Sequence, residues 1–176
     1  MKTLVILVHP DIKGSKINKI WKQELEKYPD KITIHELYKE YPNWNINVKK
    51  EQELLEKYDR IILEFPLYWY SYPPLLKKWF DDVFTFGWAY GPNGNKMENK
   101  KISAAVSVGG FEKDYSKEGH VGFCLNTVLS PLTATVKFIR AEMFPHFTLF
   151  GTEHELKDEE IKESALKYAE YILNLK

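Results

Sequence analysis

The order of elements along the chain predicts an α/β protein: a three-layer sandwich with a five-stranded parallel sheet of order 2-1-3-4-5 and helices on both faces. Three observations predict it. Leu4 to Val8 is an unbroken apolar run rich in branched residues, the pattern of a strand covered on both faces. Apolar runs and helical periodicities then alternate to the end of the chain. The 176 residues contain no repeat, low-complexity tract or linker, so 1–176 is expected to be a single domain. Right-handed crossovers leave few topologies at this length, and 2-1-3-4-5 is the favoured one.

Each element has its own signal. Ile17, Ile20, Trp21, Leu25 and Tyr28 recur at helical spacing until Pro29-Asp30 stops them. Ile32, Ile34 and, less regularly, Leu37 mark a second strand, and the polar, aromatic stretch Tyr38 to Lys49 reads as a loop. A short helix with Leu54, Leu55 and Tyr58 precedes the third strand, Arg60 to Phe65, which Pro66 ends. Pro73-Pro74 open a helix whose apolar pairs Leu75/Leu76, Trp79/Phe80 and Val83/Phe84 make a broad buried face. Ile102 to Val108 is the fourth strand, 119–141 a helix interrupted at Pro131, and Phe144 to Phe150 a fifth strand weakened by Pro145. Ile161 to Leu173 form a last amphipathic helix, with Asp158-Glu159-Glu160 at its positive end.

Composition excludes several classes. Lys+Arg and Asp+Glu balance at 25 each, against a nucleic-acid binder, which carries a basic surplus. With 44% apolar residues the chain is too hydrophobic for disorder. Cys124 is the single cysteine, so no internal disulfide forms, and a reducing, cytoplasmic setting is expected with Cys124 buried as a small apolar residue. No signal segment or membrane span is visible. The histidines lack metal-ligand spacing, so no metal is expected.

In such sheets ligands bind beyond the carboxyl ends of the strands, where strand order reverses, here between the first and third strands. Three loops meet there. His9 to Asn18 opens a helix, with Ser15 as N-cap and unpaired N–H groups that suit an anion. Ser15, Asn18 and His9 add side-chain donors. The loop lacks the glycine patterns of dinucleotide and triphosphate sites, so a terminal phosphate monoester fits it better. Pro66 to Pro74 carries Tyr68, Trp69, Tyr70 and Tyr72, more rings than a core can absorb, and suits a flat aromatic ligand. Ser107-Val108-Gly109-Gly110 brings glycines to a strand end, where backbone can approach a ligand, and Tyr115 and His120 follow as groups able to share a proton.

Val8-His9-Pro10, Ser15-x-x-Asn18, the run from Pro66 to Phe84, Phe86 to Gly91 and Ser107-x-Gly109-Gly110 together resemble the flavodoxin-like NAD(P)H:quinone oxidoreductases over nearly the whole chain. That group includes the ancillary flavoproteins of bacterial glutathione-gated potassium efflux systems. The resemblance implies FMN or FAD, a homodimer, NAD(P)H as electron donor and a quinone-like acceptor. Relatives with FAD carry a longer C-terminal region, which favours FMN here. By position, the resemblance puts His9, Ser15, Ile17 and Asn18 around the flavin phosphate, and Pro66, Leu67, Tyr68, Trp69 and Tyr70 along the ring. Ser107, Val108, Gly109 and Gly110 border its pyrimidine end, where Tyr115 bonds the carbonyl and His120 serves as proton partner. Trp88 and Tyr90 close the substrate pocket across the dimer, with Trp69 and Tyr70 as its floor. Val108 stands where relatives often have Thr, and Phe111 where smaller residues are usual, which narrows the mouth.

On this reading the flavin performs ping-pong hydride transfer from NAD(P)H to the acceptor. Two alternatives stay open: a flavodoxin-type electron carrier, which the neutral charge disfavours, and a regulatory subunit of a membrane potassium efflux transporter. Azoreductase and nitroreductase chemistry would look the same at this level.

Overall fold

Residues 2–175 are described by a computed structural model. Strand β1 (Thr3–Leu7) is buried at every position, as its unbroken apolar run requires. It pairs in parallel with β2 (Ile32–Glu36) on one side and β3 (Arg60–Pro66) on the other, so Val5 lies between Ile34 and Ile62. Strand β4 (Lys101–Ser107) pairs with β3 in parallel, which sets Glu64 beside Ala105 and Pro66 beside Ser107. The order is 2-1-3-4-5, as expected from the sequence.

The fifth position holds two short strands rather than one, giving a six-stranded sheet. β5 (Glu142–Met143) and β6 (Phe147–Leu149) each pair in parallel with β4, and residues 144–146 interrupt them. Pro145 has no N–H to give a ladder. Its carbonyl instead accepts from Ser103 Oγ and from the Tyr171 hydroxyl, each at 2.7 Å.

Side chains alternate across the sheet and divide the core. Ile61, Leu63 and Phe65 face helices α3 (Val48–Glu56), α4 (Pro74–Val83) and α6 (Ser130–Phe138) through Leu55, Leu75, Leu76, Trp79, Leu132 and Val136. Val5 and Ile62 face α1 (Ile17–Leu25) and α7 (Asp158–Asn174). There Trp21 packs on Phe147 and Tyr168 with ring centroids 5.3 and 5.0 Å away, and its Nε1–H donates to Ser164 Oγ at 2.9 Å.

Four local expectations change. Leu37 belongs to a one-turn helix, α2 (Leu37–Glu40), not to β2, and the region expected as loop ends at Val48, where Asn47 Oδ1 accepts the Lys50 N–H and caps α3. Residues 119–124 are not helical. Helix α5 (Leu125–Val128) and α6 follow, Pro131 lying in the first turn of α6, which needs no N–H from it. Cys124 is exposed rather than buried, because it precedes α5 at the surface, its Sγ 3.1 Å from Thr127 Oγ1. Among the described residues no helix is long and apolar enough to cross a membrane.

Candidate functional site

The carboxyl ends of β1, β3 and β4 release three loops toward one edge of the sheet. After β3, the chain reverses over Tyr68–Ser71 by a two-residue turn: Tyr68 N–H donates to Ser71 O at 2.9 Å, and Ser71 N–H returns to Tyr68 O at 3.0 Å. The central residues, Trp69 and Tyr70, sit at φ of +46° and +59°, where asparagine and glycine normally serve. Holding non-glycine residues there costs about 1–3 kcal/mol each, and such strain collects at ligand sites. The geometry turns the Trp69 ring outward, 93% exposed. Among the described residues nothing accepts the Trp69 or Tyr70 N–H.

Across from this turn, Gly109 and Gly110 follow β4, and nothing among the described residues accepts their N–H groups either. Their carbonyls are tied to the segment after β6, through Glu153 N–H to Gly109 O at 3.4 Å and Gly151 N–H to Gly110 O at 2.8 Å. A Cβ on Gly110 would stand in ordinary contact with the Tyr115 ring at 3.4 Å, whereas one on Gly109 would come within 2.6 Å of the Glu153 side chain, which would have to move.

Between the turn and the glycines lies a cleft of about 590 Å³ lined by Leu67, Tyr68, Trp69, Tyr70, Gly109, Gly110, Asp114, Tyr115, His120, Val121 and Glu153. It continues past Tyr70, His120 and Val121 into a second hollow of about 450 Å³ beside Phe123, Thr127 and Val128. Burial, with lesser effects of Tyr70, Asp114 and Glu153, raises the Tyr115 phenol above its ordinary value. Tyr115 therefore keeps its proton at neutral pH and can donate it in a hydrogen bond.

The first loop lies beside the cleft, close enough for Asp11 to add to the upward shift that burial gives Tyr68. Ser15 Oγ accepts the Asn18 N–H at 3.1 Å, the side-chain cap expected at the start of α1. The Lys16 and Ile17 N–H groups have no acceptor among the described residues. His9 Nδ1 accepts from Asp11 N–H at 3.1 Å, and burial lowers its pKa, which leaves the imidazole neutral at pH 7.

Several expected roles change. Asn18 is buried, and both ends of its amide are used internally: Nδ2 donates to Glu64 Oε1 at 3.2 Å and Oδ1 accepts from Ser107 Oγ at 3.0 Å. Asn18 and Ser107 thus brace the loops from beneath rather than offering side chains to a ligand. The side chains of Ile17, Pro66 and Val108 are buried too, so Ile17 has only its backbone N–H to offer, and Val108 spends its N–H on Leu149 O and its carbonyl on Thr152 N–H. Tyr115 and His120 both line the cleft without a hydrogen bond between them. Trp88 and Tyr90 lie outside the cleft of their own chain: Trp88 Nε1–H donates to Glu56 Oε1 at 2.8 Å, and Tyr90 packs on Phe86 and Phe138. Phe111 is not in the lining; it stacks on His154 at 3.9 Å, holding the segment that carries Glu153 against Gly109.

Sequence reasoning missed Asp114, Val121 and Glu153. Glu153 falls in an acidic run that looks like a helix start, whereas α7 begins only at Asp158, where the Lys157 N–H donates to Glu160 Oε2 at 2.8 Å. The pairing of β6 with β4 carries the segment that follows toward Gly109, and Glu153 N–H donates to its carbonyl there.

A doubly wound parallel sheet with its cleft at the switch point defines the flavodoxin class of α/β protein. A family model described as a flavodoxin-like fold matches residues 1–172, and the chain belongs to that family. It is 45% identical over 172 residues to YrkL of Bacillus subtilis, named as an NAD(P)H oxidoreductase, covering 98% of each chain. It is 36% identical over 171 residues to the glutathione-regulated potassium-efflux system ancillary protein KefF of an Enterobacter species, covering 97% of this chain and 95% of the relative. Among solved structures, the general stress protein 14 of Treponema denticola in complex with FMN superposes with TM-score 0.96 at 40% identity, over 100% of both chains. An NADPH-quinone reductase from P. pentosaceus gives TM-score 0.90 at 31% identity, also over 100% of both. These matches agree with the family resemblance that the proline-aromatic motif carries.

Proposed function

We propose that this chain is an FMN-dependent oxidoreductase that takes a hydride from NADH or NADPH and passes it to quinones or similar small aromatic acceptors. The observation that carries the reading is the cleft itself. Two pairs of unclaimed N–H groups, at Trp69-Tyr70 and Gly109-Gly110, border a space walled by aromatic rings and served by a protonated phenol. That donor set fits the edge of a flat heterocycle with several acceptor atoms, and the turn at Ser15–Ile17 fits its phosphate.

When bound, FMN would supply the two-electron hydride chemistry. The Trp69-Tyr70 turn and Leu67 would hold one edge of the ring and keep water from it. The Gly109 and Gly110 N–H groups and the Tyr115 hydroxyl would face the end where negative charge gathers on reduction. His120, at the margin of the cleft, would exchange a proton with the acceptor oxygen. Donor and acceptor share one space and so alternate in it, which gives ping-pong kinetics. The exposed rings of Trp69 and Phe86 are apolar surface of the kind a homodimer covers, and Trp88 and Tyr90 would reach a partner's cleft there.

The test is anaerobic. NADH or NADPH alone should bleach the yellow protein, a quinone added afterwards should restore its colour, and the extracted flavin should have the mass of FMN. A protein that stays oxidised until a separate reductase is added would be an electron carrier instead.

A second reading, regulation of a membrane potassium efflux transporter, is favoured by the match to KefF. Co-purification with such a transporter, together with a change in efflux on deletion, would establish it.

A further inference from the structure

Glu64 is the one residue of β3 that places a carboxyl group on the sheet face covered by α1 and α7, and it is fully buried. Oε1 accepts from Asn18 Nδ2 at 3.2 Å, and Oε2 accepts from the Tyr168 hydroxyl at 3.3 Å. Both donors are neutral. The sheet neighbours, Leu7 and Ala105, are apolar. Among the described residues Glu64 has no ion-pair partner, and the nearest cation to act on it is Lys22 of α1. Lys22 is already held by Glu36 at 3.0 Å and Glu26 at 3.5 Å. On α7, Tyr168 is raised well above its ordinary value, chiefly by burial, and Tyr171 beyond it is raised as well, so neither supplies charge. Burial pushes the Glu64 carboxyl up to about 8.

Through Asn18 this carboxyl reaches both ends of the candidate site. The Asn18 N–H is capped by Ser15 in the phosphate turn, and its Oδ1 accepts from Ser107, the last residue of β4 before the Val108-Gly109-Gly110 segment. A carboxylate in this position would set a second negative charge beneath the turn where a phosphate would bind, with Lys22 already engaged by Glu36 and Glu26, and like charges repel strongly where the dielectric is low.

We propose that Glu64 is a positioning residue for the cofactor phosphate: it is carried as the neutral acid, and its ionisation weakens binding of a phosphate monoester at the opening of α1. The inference rests on the FMN reading. It follows by linkage that phosphate binding holds the Glu64 proton more tightly, because the coupling between two sites is reciprocal. The phosphate itself loses its second proton near pH 6, so its charge is constant above pH 7. His9, lowered by burial, is neutral in the same range.

The experiment compares FMN with riboflavin, which has the same ring and no phosphate. Dissociation constants are measured by flavin fluorescence on the full chain stripped of flavin, from pH 7 to pH 9.5, for wild type and Glu64→Gln. In the wild type the ratio of FMN to riboflavin constants should rise about tenfold or more, one decade per pH unit between the free and bound pKa values. In Glu64→Gln it should stay flat. A flat ratio in the wild type, or the same rise in the variant, overturns the proposal while leaving the cofactor reading intact. If neither flavin binds at any pH, the cofactor reading falls and this one with it. The infrared spectrum gives a check on the wild type alone. The FMN-loaded chain at pH 7 should show a protonated-carboxyl band that disappears in alkali, and the absence of that band at neutral pH would overturn the assignment.

Discussion

Glu51 of α3 and Glu64 of β3 are both fully buried, on opposite sides of the same sheet, and the surroundings of each settle a different charge state. Burial works to raise Glu51, but His35, Tyr41 and Trp79 outweigh it and hold the carboxyl below its ordinary value. Tyr41 donates its hydroxyl at 2.6 Å, Trp79 its Nε1–H at 2.8 Å, and His35 Nε2 lies 3.0 Å away. Glu64 has two longer, neutral hydrogen bonds, and burial wins. A buried carboxylate is thus kept charged where it ties helices to the sheet, and neutral where it underlies the candidate anion site. The difference is one of donor number and distance, together with the deeper burial of Glu64.

The largest effect should come from breaking the Glu51 hub. Glu51→Ala leaves a phenol, an indole and an imidazole buried without their acceptor, and should cost about 3–5 kcal/mol in urea denaturation. A loss under about 1 kcal/mol would show that the charged network contributes little.

The pH dependence of stability sharpens the contrast. Glu51 lies below the ordinary value of 4.5, so its contribution is present above that value and is lost as pH falls through the folded pKa. Glu64 has the opposite sign. The folded chain keeps its proton up to about 8, whereas the unfolded chain releases it near 4.5, so stability falls as pH rises between those values. Glu64→Gln should remove that fall, and its stability relative to wild type should rise from pH 4.5 to pH 8 by up to about 4 kcal/mol. Denaturation curves of the two proteins that run parallel across this window would contradict the neutral assignment.

Above Glu64, in the cleft, Tyr115→Phe should slow flavin bleaching by NAD(P)H about tenfold or more in stopped flow while leaving FMN affinity largely unchanged. Equal rates would remove Tyr115 from charge stabilisation. The smallest effect concerns the strained turn. Trp69→Gly should relieve a positive φ and stabilise the fold by about 1 kcal/mol, yet lower kcat/KM for quinones by removing a wall of the cleft. A variant that is less stable and equally active would reverse both halves of that expectation.

Elements whose apolar residues decide their own fate were legible in the sequence. β1, β3, β4 and the broad face of α4 follow from runs and pairs that have one way to be buried. The Pro66–Tyr70 and Gly109-Gly110 loops could be placed at one edge because strand order reverses there. Roles that depend on a distant partner were not legible. Asn18 looked like a ligand donor, but Glu64 and Ser107 take its amide. Glu64 looked like one polar residue in an apolar strand, and its surroundings come from α1 and α7. Asp114 lies in a stretch without periodicity, and Val121 falls in a segment that reads as helix in the sequence but is irregular in the structure.

The central claim, that the cleft between the Trp69-Tyr70 turn and Gly109-Gly110 holds FMN, is tested most directly by a crystal structure of the chain grown with FMN. The account predicts the ring between those two segments, its phosphate against the turn at Ser15–Ile17, and the Tyr115 hydroxyl within hydrogen-bond reach of the ring's carbonyl end. Flavin bound elsewhere, or a cleft closed by Trp69 and Glu153 with the ligand excluded, would contradict it.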